Sequence, residues 1–176
     1  MKRKSALILV AAVLALSASA SFGNTSPQKA GLEIKDSLDR TVSIPARVER
    51  IVSIQPEISR LIVALGAGDN LVGVDYTLQL HDPMFRIIYP KEHKLALVSM
   101  AENNINLEMT MRLKPDIIFV SPYERQIVRA LEGKTRIPVV ALASMGSFAT
   151  LCEEMRLVGR ALGRGNRADE LVAYFN

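Results

Sequence analysis

The chain has no tryptophan, a single cysteine and only two histidines among its 176 residues. Each scarcity removes a class of chemistry. Cys152 alone allows no disulfide within the chain and no paired-cysteine redox or zinc motif, so it is expected to pack as a small apolar residue on a helix. Neither His81 nor His93 has a metal-ligand partner at helical or Cys-x-x-Cys spacing. His81 with Asp82 leaves two readings open, a metal contact or a solvated loop pair, and the second is favoured because lone histidines seldom coordinate alone. No lysine-bearing phosphate loop is present, and no serine sits in a nucleophile elbow. Gly66-Ala67-Gly68 begins like a dinucleotide fingerprint, but the third glycine position is Leu71 and the pair closes a helix. Catalysis is therefore not expected, nor is a resident metal or permanently bound cofactor.

A strong net charge is also missing once the leader is set aside. Lys2, Arg3 and Lys4 precede an unbroken apolar run from Ala6 to Leu16, followed by Ala18-Ser19-Ala20. That is the three-part grammar of a secretory signal, and the run is about half the ~20 residues a membrane-spanning helix needs. Residues 1–20 are expected to be a signal peptide cleaved near Ala20. Removing its three basic residues from the chain's 22 leaves 19 basic against 18 acidic, near neutrality. That balance gives no electrostatic argument for nucleic acid or a membrane surface. A lipoprotein would need a cysteine at the cleavage point, and Cys152 lies far downstream. The mature chain is thus expected in the periplasm, soluble and without a membrane anchor.

What is present reads as one α/β domain. Residues 21–30 are small and polar and form a flexible lead-in. Leu32–Asp36 and Val42–Ile44 alternate apolar and polar around Asp36–Arg40, which predicts an edge hairpin. After Pro45, short apolar runs alternate with helical stretches. Strands are expected over 50–54, 71–74, 95–98, 117–120 and 138–142, with helices over 57–67, 107–113, 124–131 and 147–162. A further helix begins near Ala168. Strands apolar on both faces, each followed by a helix, predict a Rossmann-like parallel sheet flanked by helices. The expected lobe spans 31–146. Residues 147–176 hold a closing helix and the start of a linker helix, with no second lobe.

Open α/β sheets bind ligands at the carboxyl ends of their strands. Here those ends carry Gln55-Pro56, Asp75-Tyr76-Thr77, Ser99-Met100, Ser121-Pro122-Tyr123 and Ser144-Met145. Candidate ligand contacts are Gln55, Pro56, Tyr76, Met100, Tyr123 and Met145, because aromatic and thioether groups suit a flat, large, partly apolar ligand. Met100 and Met145 serve equally well as gap-fillers closing the core beneath the loops. The stretch 82–90 is expected to pack over the second strand's exit, with Arg86 either meeting an anionic chelate or solvated.

Several of these segments resemble the periplasmic binding proteins for ferric siderophores, haem and cobalamin. Arg50–Pro56 is similar to their first strand and turn, and Ala64–Val74 to their first helix end and second strand. Asn106-Leu107-Glu108 with Leu113–Ile118 looks like their most recognisable segment, and Ile137–Val140 like the last strand of the lobe. Asp39–Val42 with Ile44-Pro45 fits the opening hairpin. The ordered resemblance runs from about Leu32 to the end of the chain.

The resemblance implies two α/β lobes joined by a long, stiff helix, with a chelate held between them and delivered to the permease of an ABC importer. This chain would be the amino-terminal lobe. In that family a glutamate on each lobe meets basic residues of the permease, and the first falls on Glu108. A helix dipole also favours an acid there, and the two roles are compatible. The implied ligand is a ferric siderophore, then cobalamin or haem, then a nickel or cobalt chelate, in the order the family serves them. Two departures stand out: Arg60 where many relatives carry glutamate, expected to face solvent, and Met100 where haem-binding relatives place a tyrosine ligand. The competing readings are a single-lobe docking protein, or a truncated remnant, without high-affinity capture, and an enzyme using the same rim.

Overall fold

A computed structural model describes residues 31–101, 104–143 and 147–175, apart from the side chains of Met100 and Ala101. The expected signal segment and lead-in lie outside the described residues, as does Met145. The hairpin forms as its alternation requires. β1 (Leu32–Lys35) pairs antiparallel with β2 (Thr41–Ile44), which buries Ile34 and Ile44 and leaves Glu33 and Ser43 outside. Asp39 closes the turn at φ 62°, a left-handed conformation that aspartate tolerates better than most side chains.

The main sheet contains β3 (Ile51–Ser53), β4 (Leu71–Asp75), β5 (Ala96–Ala101), β6 (Asn104–Ile105), β7 (Ile117–Val120) and β8 (Val139–Ala141). Their spatial order is β6-β5-β4-β3-β7-β8, parallel throughout except for β6, which runs antiparallel to β5. The direction of winding reverses at β3. β4 and β5 lie on one side of it, β7 and β8 on the other.

β7 shows why the sheet is buried on both faces. Ile117 and Phe119 pack into one apolar layer, Ile118 and Val120 into the other, and all four are 0% exposed. The first layer includes α1 (Pro56–Ala64), α6 (Phe148–Ala161), α7 (Gly165–Phe175) and the hairpin. The second rests on Ile127, Val128 and Leu131 of α5 (Arg125–Lys134), with α4 (Leu107–Arg112) at its margin. Buried apolar area of this kind supplies most of the drive to fold. The architecture is the flanked, Rossmann-like parallel sheet expected from the sequence.

Two short helices were not expected. α2 (Tyr76–His81) and α3 (Pro83–Ile88) occupy the stretch read as a loop and a packing segment. Each starts on an aspartate cap, Asp75 accepting from the Leu78 amide and Asp82 from the Phe85 amide. Asp82 is consequently buried and not a solvated loop residue. α1 ends at Ala64, three residues short of the expected end, with Gly66 at φ 74° just beyond it. α7 begins three residues earlier than expected and packs on α6, where a Cβ on Gly159 would come within 2.5 Å of the Ala168 Cβ. No helix among the described residues is long and apolar enough to cross a membrane.

Candidate functional site

The residues after β3 are set by local chemistry. Gln55 precedes a proline, which disfavours helical backbone, and it sits extended at φ −132°, ψ 116°. Pro56 then opens α1, where its missing N–H costs nothing. Beneath the turn, the Ser59 hydroxyl bonds the Ser53 hydroxyl (2.8 Å) and the Gln55 carbonyl (3.1 Å), and the Ser53 hydroxyl also reaches that carbonyl (3.2 Å). All three residues are buried, so this network fixes the strand-to-helix turn from below.

The same end of the sheet gathers the other strand exits around a cleft of about 300 Å³. Gln55, Pro56 and Glu57 line it from β3 and α1, Asp75, Tyr76 and Thr77 from β4 and α2, and Ser99 from β5. Ser121, Tyr123 and Glu124 follow β7, and Ala143 follows β8. The cleft therefore lies where the order of strands reverses, the position at which open α/β sheets take ligands. Its volume is at the lower end for small-molecule sites, so a bulky ligand would need covering from outside this domain.

Four of the six candidate contacts meet in this cleft: Gln55, Pro56, Tyr76 and Tyr123. Tyr76 is half-buried on the first turn of α2, not in a loop, with its ring edge-on to His81 at 6.0 Å. Tyr123 is 82% exposed, its amide donating to the Ser121 hydroxyl, so its ring is open to a ligand. The Met100 side chain and Met145 lie outside the described residues. Glu108 stands apart from the cleft on the first turn of α4, exposed and paired with Arg112 at 2.8 Å. Asn106 caps that helix by accepting from the Met109 amide.

Asp75 is the most deeply buried acid of the cleft and is not among the candidate contacts. It is 4% exposed, and one carboxylate oxygen accepts from the Leu78 amide at 3.1 Å. The other is buried without a hydrogen-bond partner; Thr77 approaches the carboxylate without closing a bond of normal geometry to that oxygen. Burial pushes the carboxyl above its ordinary range, opposed only in part by the Leu78 and Thr77 groups. The available signal was an acid at a strand's carboxyl end beside an aromatic. Among the described residues, no three acidic, histidine or cysteine side chains converge as a metal site would require.

Arg60 faces solvent in part, as expected, but is not free. Its side chain is 42% exposed but bound, its guanidinium donating to Asp82 (Nε at 2.7 Å) and lying 3.8 Å from Glu57. The pair ties α1 to the start of α3.

A cleft at the reversal point of a parallel sheet, ringed by polar strand exits and two tyrosines, stands where α/β domains of this architecture take ligands. The chain belongs to the periplasmic binding protein family, whose profile matches residues 51–176. It is 28% identical over 185 aligned positions to the uncharacterized ABC transporter substrate-binding lipoprotein YvrC of Bacillus subtilis, covering 97% of this chain and 55% of that protein. It is 33% identical over 112 positions to the molybdate-binding protein MolA of Haemophilus influenzae, covering 62% of this chain and 31% of that one. The molybdate-bound structure of MolA superposes with a TM-score of 0.66 at 28% identity, over 80% of this chain and 49% of that chain. Staphylococcus aureus SirA complexed with staphyloferrin B gives a TM-score of 0.66 at 26% identity, over 82% and 46%. The chain thus spans about half the length of the first curated relative, and less of the second.

Proposed function

We propose that residues 31–146 form the amino-terminal lobe of a periplasmic substrate-binding component of an ABC importer. Its cargo is an iron chelate, foremost a ferric siderophore, or a related metallocofactor such as cobalamin, haem or a nickel or cobalt chelate. Residues 147–176 close the lobe and begin the linker helix. The observation that carries this reading is the cleft at the point of strand reversal, with Gln55, Pro56, Tyr76 and Tyr123 on its walls. Met100 and Met145 complete the rim in this reading.

The cleft binds; it does not react. Tyr76 and Tyr123 supply flat apolar surface with a polar tip, suited to the edge of a chelate. The hydroxyl-locked turn at Gln55 keeps one wall rigid, which lowers the ordering cost of binding. Glu108 is the docking contact to the permease, an exposed acid that adds a salt-dependent attraction to a basic partner.

The decisive measurement is equilibrium binding of ferric siderophores, haem, cobalamin and nickel chelates to the full-length exported protein, read by quenching of intrinsic fluorescence. Capture of one of them at micromolar concentration or below is expected, and silence across the panel refutes chelate capture. Glu108→Ala is expected to leave ligand affinity unchanged and to weaken permease association about threefold to tenfold at low salt, with the gap closing as salt rises. Unchanged association at low salt removes Glu108 from the docking surface.

A further inference from the structure

Among the described residues, those that line the cleft include no lysine, arginine or histidine, in a chain with 22 lysines and arginines. Three carboxylates line the cleft instead: Glu57, Asp75 and Glu124. Each stands at the beginning of a helix, Glu57 in the first turn of α1, Asp75 capping α2 and Glu124 preceding α5.

That placement bears directly on what can bind. A helix N-terminus presents about half a positive charge and free amides, which makes it a natural seat for an oxyanion. Here a full negative charge stands at each of the three helix starts, and Pro56 removes one amide from α1 altogether. Acids at helix starts are also an ordinary stabilising habit, and taken alone they would say nothing about a ligand. Two further facts separate the cases. Among the described residues no lining side chain supplies a compensating cation, and Asp75, nearly fully buried at the cleft, keeps one oxygen without a hydrogen bond. Glu57 lies 3.8 Å from Arg60, and Arg60 is already committed to Asp82.

We propose that this cleft selects a metal chelate of neutral or positive net charge and discriminates against anionic chelates and oxyanions. The proposal rests on the import reading above and narrows it. Among the described residues the acids do not converge on one point, so in this proposal the chelator brings the metal's ligands. A buried, under-bonded carboxylate such as Asp75 repels an anion and gains from a cation, and the low local dielectric magnifies both effects.

The test uses the full-length exported protein and one ferric trihydroxamate scaffold whose terminal amine is left protonated, acetylated or succinylated, giving cationic, neutral and anionic probes of similar shape. Molybdate, a ferric tris-catecholate, haem and cobalamin complete the set, with equilibrium dialysis as readout. The cationic and neutral scaffolds are expected to bind about tenfold tighter than the anionic one. Glu57→Gln and Asp75→Asn should each narrow that gap, and the first is partly exposed, so its folding is not at stake. Retention of cobalamin alone, a neutral complex, also supports the inference. Equal or tighter binding of the anionic scaffold, the catecholate, haem or molybdate overturns the charge rule while leaving chelate import standing. Retention of nothing overturns the import reading, and the charge rule falls with it.

Discussion

Asp36 and Asp75 are both buried at strand ends, 6% and 4% exposed, and they are treated in opposite ways. Asp36 sits where β1 turns toward β2. One of its oxygens accepts from the Leu38 and Arg40 amides, at 2.9 and 3.1 Å. The other accepts from the Arg40 guanidinium and, at 3.1 Å, from the Ala141 amide of β8. Arg40 also bonds the Val139 carbonyl and pairs with Glu132. Burial alone would raise the Asp36 carboxyl, but the bonds from Arg40, Ala141 and Leu38 outweigh it and hold it below its ordinary value of 3.8. Asp75 receives a single bond of normal geometry and is pushed up. A buried carboxylate with every lone pair engaged joins pieces of the fold, whereas one left short of partners costs stability and has something to offer a ligand. The far edge of the sheet is thus built for stability, and the cleft floor keeps an unmet demand.

Breaking the satisfied site should have the largest effect. Asp36→Ala removes the acceptor that ties hairpin to sheet and takes from the Arg40 guanidinium its buried acid, at an expected cost of about 3 kcal/mol in urea unfolding. A loss under about 1 kcal/mol would place Asp36 among ordinary surface ion pairs and dissolve the contrast. Next comes the seam between α6 and α7, which belongs to the same rigid frame. Gly159→Val forces a side chain where a Cβ already meets Ala168 at 2.5 Å, and about 2 kcal/mol should be lost to overpacking. Ligand affinity should be little changed in either variant under conditions where it remains folded. A large loss of affinity from Gly159→Val alone would mean that frame and cleft are coupled.

Much of the frame was legible in the residues. Ile117–Val120 is apolar at four successive positions, which only a strand covered on both faces explains, and all four are buried. α6 begins one residue after Ser147, whose side chain accepts from the Thr150 amide, close to the limits its pattern predicts. α2 and α3 escaped because six residues give fewer than two turns, too few for an apolar period to emerge. Asp82-Pro83 was in principle a start signal, a cap followed by a proline at the first helical position. β6 is only two residues long, and the pairing of β3 with both β4 and β7 arises from packing between distant segments. At the cleft, the rule that strands bind at their carboxyl ends placed Gln55, Pro56, Tyr76 and Tyr123 together. It did not disclose the charge of the site, because Glu57, Asp75 and Glu124 look like separate loop acids until the strands converge. Arg60 reaches Asp82 across 22 positions, a contact no local pattern contains.

The smallest predicted effect tests the contrast most directly, because its sign is unusual. Asp75→Asn keeps a cap for the Leu78 amide while removing the charge that burial disfavours. The folded-state carboxyl of Asp75 lies above its unfolded value, so its penalty is fully present at pH above the raised value and is relieved as pH falls through it. The variant should therefore be more stable than the parent by about 1 kcal/mol at neutral pH, and the two should converge as pH approaches 4. Asp36 behaves inversely. Its depressed carboxyl contributes stability that persists above its ordinary value of 3.8 and is lost only as pH falls below it. Between neutrality and about pH 4 the parent should thus recover the cost of Asp75 without yet losing Asp36, a window that denaturant titrations of both proteins can resolve. A less stable Asp75→Asn at neutral pH would show that its carboxylate is structurally engaged, and the cleft would lose the unmet demand that distinguishes it from the hairpin edge.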